Sequence, residues 1–233
     1  MELKISVSKT NKYAVSESGD SVEITERPQG GMSVIMADAQ GSGKSARTNS
    51  KLVVSRAASL IGEGARDGAV ARAVHDMMFA LRDGRVSATL TIISADLVTR
   101  SVVVCQNGGP PVFVLNDGVA MVFPASAPPI GVHRNMKPNI CEFPMEQGLA
   151  ILAMTDGIYA AGRYRGNPVS DEDFMGLLET LGDNPTFLAD HVLEQCVARD
   201  EGRPGDDMSV MALYIGPGDQ PIRVRKMSVL LPC

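Results

Sequence analysis

Tryptophan is absent from the sequence, and aromatic residues make up only 4% of its 233 residues. The hydrophobic core must therefore rest on aliphatic side chains and on methionine. The four cysteines are widely spaced and form no Cys-x-x-Cys pair, so reduced thiols are expected rather than a disulfide framework or a zinc site. No apolar run approaches the roughly 18 residues of a membrane span. The N-terminus lacks the apolar stretch of a signal peptide. These absences predict a cytoplasmic protein.

Cations are too few for a nucleic-acid-binding face. The sequence has 22 Lys and Arg against 27 Asp and Glu, which gives a formal net charge of −5. A nucleic-acid surface requires a concentration of basic residues, so we expect neither a nucleic-acid nor a membrane partner. The length suits one large domain. We predict a single domain over residues 1–233, with a core at about 15–216.

Strand and helix patterns occur in groups along the chain. Alternating or β-branched segments predict strands at 2–9, 21–25, 32–37, 88–94, 101–106, 112–115, 119–123, 140–143, 149–154 and 208–215, with a possible edge strand at 222–231. Helical spacing of apolar residues predicts helices at 44–62, 68–82, 171–181 and 186–199. Strands grouped into hairpins and helices grouped into pairs predict an α+β fold, with two antiparallel sheets in a central sandwich flanked by paired helices.

Aspartates stand at the ends of three predicted strands. Asp38 and Asp156 follow buried strands, and Asp206 precedes one. A single aspartate beside glycine is more often a turn residue or a helix cap, so only the set is informative. Carboxylates that converge at one rim repel each other unless hard divalent cations bind them. Two such ions about 3.5–4 Å apart activate water and clamp a phosphate, which favours a two-metal hydrolytic site.

Four segments carry a resemblance to a known family. VIMADAQGSGKSA, NGGPPVFVL, LAILAMTDGI and GRPGDDMSVMALY resemble, in order and spacing, the metal-dependent protein phosphatase superfamily (protein phosphatase 2C-like), and most of all its bacterial SpoIIE-like branch. The resemblance implies a protein serine/threonine phosphatase with two Mn²⁺ or Mg²⁺ ions. It implies that the metal ligands are Asp38 as the bridge, the backbone carbonyl of Ala39, Asp156 and Asp206, with Asp207 as a further ligand or outer acceptor and Asp20 binding through water.

The sequence departs from the family pattern at two glycine-rich segments. Many family members carry histidine where this chain has Ser42, and histidine is also missing from the segment Asn107-Gly108-Gly109. A histidine general acid is therefore not available from either loop. We expect a single displacement by metal-activated water, with no phosphoenzyme, and with the leaving oxygen protonated either by a metal-bound water or by no dedicated group. The three histidines at 75, 133 and 191 are expected to be structural.

Two other functions fit parts of the sequence. Residues 41–45, Gly-Ser-Gly-Lys-Ser, lie between a strand and a helix, as a nucleotide-binding P-loop does. The first glycine of that motif would fall on Asp38, whose carboxylate would repel phosphate. Lys44 either contacts substrate phosphate or is simply solvated, and the solvated interpretation is favoured. A non-catalytic phosphoprotein-binding module is the third reading, and the retained aspartates argue against it because clustered carboxylates are costly without cations.

The resemblance also implies a partner. The substrate would be a phosphorylated bacterial regulatory protein, either an anti-sigma-factor antagonist or a related small domain, in partner-switching or stress signalling. The loop at 162–168, with Arg163 and Arg165, is a candidate for contact with this protein. An ordinary solvated loop explains the same residues.

Overall fold

The computed structural model describes residues 1–218 and 225–230, which contain ten strands and five α-helices. The strands are β1 Glu2–Thr10, β2 Asp20–Glu26, β3 Gly31–Ala39, β4 Ala88–Asp96, β5 Ser101–Asn107, β6 Val112–Asn116, β7 Val119–Phe123, β8 Asn139–Pro144, β9 Ala150–Met154 and β10 Met208–Gly216. The helices are α1 Gly43–Gly62, α2 Asp67–Leu81, α3 Asp156–Tyr159, α4 Asp171–Leu181 and α5 Pro185–Arg199. The predicted α+β class is confirmed.

The strands form two five-stranded antiparallel sheets. The first sheet has the order β2-β3-β4-β5-β8 and the second sheet the order β1-β10-β9-β6-β7. Side chains alternate between the two faces of a strand, and alternate residues of β3 and β10 meet between the sheets. Val34 and Met36 from one sheet pack there with Met211 and Leu213 from the other. This aliphatic layer joins the two sheets.

A pair of helices covers the outer face of each sheet. Ile35 and Ala37 of β3 point away from the sandwich and pack under α1 and α2. On the other side, Phe113 and Leu152 pack under α4 and α5. Ser170 begins α4 with a capping box, in which its hydroxyl accepts from the backbone of Asp173. The order of layers is helix, sheet, sheet, helix, as predicted.

Two segments differ from the sequence-based expectation. The region after β9 begins with the short helix α3, because Ile158 is buried in the core beneath α4 and α5 and draws the chain into a turn. It continues as a 3-10 turn at Arg163–Arg165, between two glycines with positive φ. The predicted edge strand at 222–231 was wrong for residues 225–230, which are in no strand, and the rest of that segment lies outside the described residues.

The structure also bears on two expectations from the sequence, that no segment spans a membrane and that the cysteines are reduced. None of the helices within 1–218 and 225–230 has the length and apolarity to cross a bilayer. Cys105, Cys141 and Cys196 are all unpaired thiols, and Cys105 and Cys196 are buried.

Candidate active site

Two aspartates face each other across the first hairpin. β2 begins at Asp20 and β3 ends one residue after Asp38, and these two residues are direct partners in the antiparallel register. Directly opposed residues project from the same face of a sheet. Asp38 continues the inward-facing row of Val34 and Met36, so both carboxylates lie at one end of the space between the sheets.

The second sheet closes the same end with hydroxyl groups. Thr155 follows β9 and Ser209 lies near the start of β10, and the Thr155 backbone N–H donates to the Ser209 carbonyl at 2.9 Å. The two hydroxyls donate to Oδ2 of Asp20 at 2.8 Å from Thr155 and 2.7 Å from Ser209. Asp20, which is only 3% exposed, therefore joins the two sheets at the site.

Close backbone packing brings Asp156 beside Asp206. Asp156 begins α3, directly after the end of β9, and Asp206 lies in the turn before β10. A Cβ atom on Gly157 would lie 2.1 Å from the carbonyl oxygen of Asp207 and 3.4 Å from the carbonyl carbon of Asp206. Only glycine permits this approach, and the approach sets the spacing between the two aspartates.

Asp207 anchors the loop between β1 and β2. Its Oδ1 accepts the backbone N–H of Lys12 at 2.9 Å, and its Oδ2 accepts the backbone N–H of Gly19 at 2.7 Å. The side chain is buried, and both carboxylate oxygens are engaged. This geometry favours a positioning role for Asp207, since the loop that it holds leads directly into Asp20.

The carboxylates of the site oppose each other's ionisation. Burial raises the pKa of Asp38 to about 8, and the charges of Asp20, Asp156 and Asp206 add to the effect. Burial also raises the pKa of Asp20 to about 7, against the hydrogen bonds from the two hydroxyls. The pKa of Asp156 is raised by burial and then by the charge of Asp206. The aspartates therefore form one electrostatically coupled group.

This coupling predicts how the metal-free protein responds to pH. Asp38 and Asp20 titrate at about 8 and about 7 in the folded chain, whereas an unfolded aspartate titrates near about 3.9. Between these values the folded state binds more protons, so stability falls as pH rises. We expect the Tm in chelator to be lower at about pH 8 than at about pH 5. Asp38→Asn should reduce that difference, and a pH dependence equal to that of the unaltered chain would contradict the assignment.

The donor set suits a hard divalent cation. The available atoms are carboxylate oxygens and the carbonyl of Ala39, the ligand type that Mg²⁺ and Mn²⁺ prefer. Across the described ranges, no three His, Cys, Asp or Glu side chains converge closely enough to enclose an ion. The neighbouring carboxylates nevertheless act on Asp38 and Asp156, whose pKa values their charges help to raise.

The histidines lie elsewhere and have other roles. His75 is buried under the first sheet and its Nδ1 accepts the backbone N–H of Gly131 at 3.1 Å. His191 stacks on Phe187 within α5, and His133 is exposed in the loop before β8.

The P-loop alternative does not fit the fold. A nucleotide-binding P-loop follows a strand of a parallel sheet. β3 is antiparallel to both of its neighbours, β2 and β4. Residues 41–45 therefore belong to the antiparallel sandwich and do not form a nucleotide cradle.

Sequence inspection missed the hydroxyls of Thr155 and Ser209 and the amine of Lys9. Lys9 is the register partner of Ser209, and its Nζ donates to the carbonyl of Asp20 at 3.0 Å. Burial lowers the pKa of Lys9, against the charges of Asp20 and Asp207. A signal was present, because Thr155 and Ser209 are polar residues at inward positions of otherwise apolar strands.

Sequence comparison gives a family match over most of the chain. Residues 28–216 match the family described as Stage II sporulation protein E (SpoIIE). The chain is 21% identical to Stage II sporulation protein E of Priestia megaterium over 195 residues, which are 83% of this chain and 33% of that protein. The chain thus spans about a third of the length of this curated relative.

Two solved structures have the same fold. The PP2C phosphatase domain of SpoIIE from Bacillus subtilis, solved with a fragment of its regulatory domain, matches with a TM-score of 0.79 and 21% identity, over 92% of this chain and 64% of that chain. RsbX in complex with magnesium matches with a TM-score of 0.71 and 17% identity, over 92% of this chain and 96% of that chain. At this identity the likeness shows the fold.

Proposed function

The chain belongs to the SpoIIE family of PP2C-like serine/threonine phosphatases, and we propose that it removes phosphate from phosphoserine or phosphothreonine on a bacterial regulatory protein. One observation carries the proposal. Asp38 faces Asp20 across the β2–β3 hairpin, and the charges of Asp20, Asp156 and Asp206 add to the burial that raises its pKa to about 8. A group of carboxylates so coupled is the chemistry that recruits divalent cations.

Each aspartate has a distinct place in the proposed metal centre. Asp38 is central, because burial and neighbouring carboxylates act on it together, and it would contact both ions. Asp156 and Asp206 would each complete the coordination from the second sheet, with the carbonyl of Ala39 as a further donor. When bound, two Mn²⁺ or Mg²⁺ ions lower the pKa of water and neutralise charge on the phosphoryl oxygens. The magnesium complex of RsbX supports this metal type.

The other residues would position this centre. The Thr155 and Ser209 hydroxyls fix one oxygen of Asp20, and its second oxygen would reach the ions through water. Asp207 keeps the preceding loop in place through the N–H groups of Lys12 and Gly19. Such outer hydrogen bonds orient ligands and affect activity by about 10–100-fold in metal enzymes.

A cysteine nucleophile is disfavoured by its surroundings. Burial raises the pKa of Cys105 and of Cys196 to about 12, so neither forms the reactive thiolate near neutral pH. Direct attack by water, without a phosphoenzyme, remains the step that the aspartates support. The leaving oxygen would take its proton from water, because Ser42 stands where a histidine acid would be.

The proposed partner is a phosphorylated anti-sigma-factor antagonist or a related small domain in a partner-switching or stress pathway. Membership of the SpoIIE family supports it. The cytoplasmic location expected from the sequence remains part of the same proposal. Arg165 forms an exposed ion pair with Glu201 at 3.5 Å, so the 162–168 loop already has an internal partner, and we place less weight on it as a substrate contact.

Hydrolysis of p-nitrophenyl phosphate and of a phosphoserine peptide tests the proposal. We expect turnover of both with Mn²⁺ or Mg²⁺, and loss of turnover in excess chelator. Turnover that persists in chelator would contradict the metal-dependent step. Peptide binding without turnover under any metal condition would instead favour a non-catalytic binding module.

A further inference from the structure

Helix α1 has an unusual charge for this chain. It carries four cations, Lys44, Arg47, Lys51 and Arg56, and no acidic residue, in a protein whose net charge is −5. Lys44, Arg47 and Lys51 are spaced by three and four residues, so they lie on one helix face. All three are exposed, and we call them the basic face of α1.

The basic face adjoins the candidate active site. A Cβ atom on Gly19 would lie 3.2 Å from Cβ of Ala46, so the first turn of α1 packs on the residue before Asp20. One turn later, the Ser50 hydroxyl lies 2.8 Å from the Ser21 hydroxyl. The start of α1 thus flanks both sides of Asp20 in sequence, and the exposed cations lie on an adjoining face of the same turns.

An open groove runs along the basic face. Its volume is about 540 Å³, and it is lined by the three cations, by Leu52 and by Glu17. None of the three cations takes part in an ion pair between residues within 1–218 and 225–230. A groove with three cations and one half-buried leucine complements an acidic polypeptide segment.

Stability does not explain the placement of these cations. The N-terminus of a helix carries partial positive charge, so Lys44 and Arg47 in the first turns oppose the helix dipole. The first turn also contains no acidic residue, and Ser42 makes no capping hydrogen bond. The cations at the start of α1 therefore lower the stability of the helix, whereas they would strengthen the binding of an anionic partner.

We propose that the basic face of α1 binds an acidic segment flanking the phosphorylated residue of the protein substrate. The inference rests on the proposed phosphatase function, because the groove lies beside Asp20 at the aspartate site. The phosphoryl group would be held at the aspartates while cationic side chains one helix turn away contact neighbouring carboxylates. An anionic protein would otherwise repel an acidic partner, and a local patch of opposite charge guides such an encounter.

Two phosphoserine peptides of equal length test the inference, one flanked by Asp and Glu and the other by Lys. Fluorescence anisotropy in chelator measures the contribution of the basic face alone, without turnover and without cations to hold the phosphoryl group. We expect the acidic peptide to bind about tenfold more tightly at low ionic strength, as several exposed charge pairs would give, with the preference weakening in salt. A triple variant, Lys44→Gln with Arg47→Gln and Lys51→Gln, should lose the preference.

Arg56→Gln is the matched control, because it removes one cation from the same helix away from the groove-lining set. It should keep the preference. The triple variant should also have an unchanged or higher Tm, since it relieves the opposed dipole. A lower Tm with the preference intact would show a structural role and overturn the inference.

The remaining outcomes separate the inference from the proposed function. Loss of peptide preference with normal Mn²⁺-dependent turnover of p-nitrophenyl phosphate in the triple variant supports both. If the triple variant keeps its preference for the acidic peptide and still hydrolyses p-nitrophenyl phosphate, the inference is overturned and the proposed function stands. Patch-dependent binding without any turnover overturns the phosphatase function and leaves the docking surface. If both peptides bind equally, and phosphatidylserine vesicles bind the unaltered chain but not the triple variant, the basic face would belong to a membrane contact, which would contradict the proposal.

Discussion

Asp38→Asn and Asp156→Asn should each lower Mn²⁺-dependent hydrolysis of p-nitrophenyl phosphate by more than about 100-fold, since even outer partners of metal ligands contribute about 10–100-fold. The reason is electrostatic. A neutral amide at either position removes a charge that would hold a cation, and Asp38 is the residue on which the other carboxylates act. Steady-state rates over a range of Mn²⁺ concentrations give the measurement.

Asp76→Asn provides the matched control for these variants. Asp76 is an exposed aspartate on α2, so its neutralisation makes the same chemical change away from the site. We expect rates close to those of the unaltered chain. If the rates of Asp38→Asn stayed within a few-fold of those of Asp76→Asn over the whole range of Mn²⁺ concentrations, Asp38 would have no place in the proposed mechanism.

Gly157→Ala should disrupt both stability and activity. The added methyl would lie 2.1 Å from the backbone carbonyl oxygen of Asp207 and 2.9 Å from its carbon, so the chain after β9 must move away from the turn before β10. Overpacking costs about 1–3 kcal/mol, which corresponds to a fall in Tm of about 2–12 °C for a domain of this size. Displacing Asp156 from Asp206 by about 1 Å should lower the rate about 100-fold.

Gly176→Ala distinguishes this effect from glycine replacement in general. Gly176 lies within α4 with no atom near an added Cβ, and alanine is favoured there by about 0.5–1 kcal/mol. We expect an equal or higher Tm and normal turnover. Thermal unfolding and activity of the two variants, measured together, check the prediction. If Gly157→Ala were as stable and as active as Gly176→Ala, the close approach of Gly157 to the backbone carbonyl of Asp207 would be contradicted.

The layer order followed from the sequence because hydrophobic periodicity records which face of each element is buried. β3 alternates between the inter-sheet core and the helix side, and its residues Val34 and Ile35 show both environments. α3 was not anticipated, because its helical turn comes from the burial of Ile158 against α4 and α5, which is a tertiary effect. Such contacts override local propensity.

The aspartates were visible in the sequence, whereas their arrangement was not. The strand ends predicted that Asp38, Asp156 and Asp206 share a rim, and the charges of Asp156 and Asp206 do act on Asp38, while their joint role at a metal site stays a prediction. The pairing of Asp20 with Asp38 depends on the register of a hairpin. The hydrogen bonds from the backbone N–H groups of Lys12 and Gly19 to Asp207 join residues far apart in the chain, so no local sequence pattern predicts them.

Titration with Mn²⁺, followed by electron paramagnetic resonance and by phosphate release in the same samples, tests the central claim most directly. The proposed centre predicts two bound ions per chain, with activity appearing as the sites fill. Asp38→Asn should lose bound Mn²⁺ and activity together, while Asp76→Asn should keep both. Full Mn²⁺ binding by Asp38→Asn, or phosphate release from the unaltered chain without bound metal, would contradict the claim that these aspartates form a catalytic metal centre.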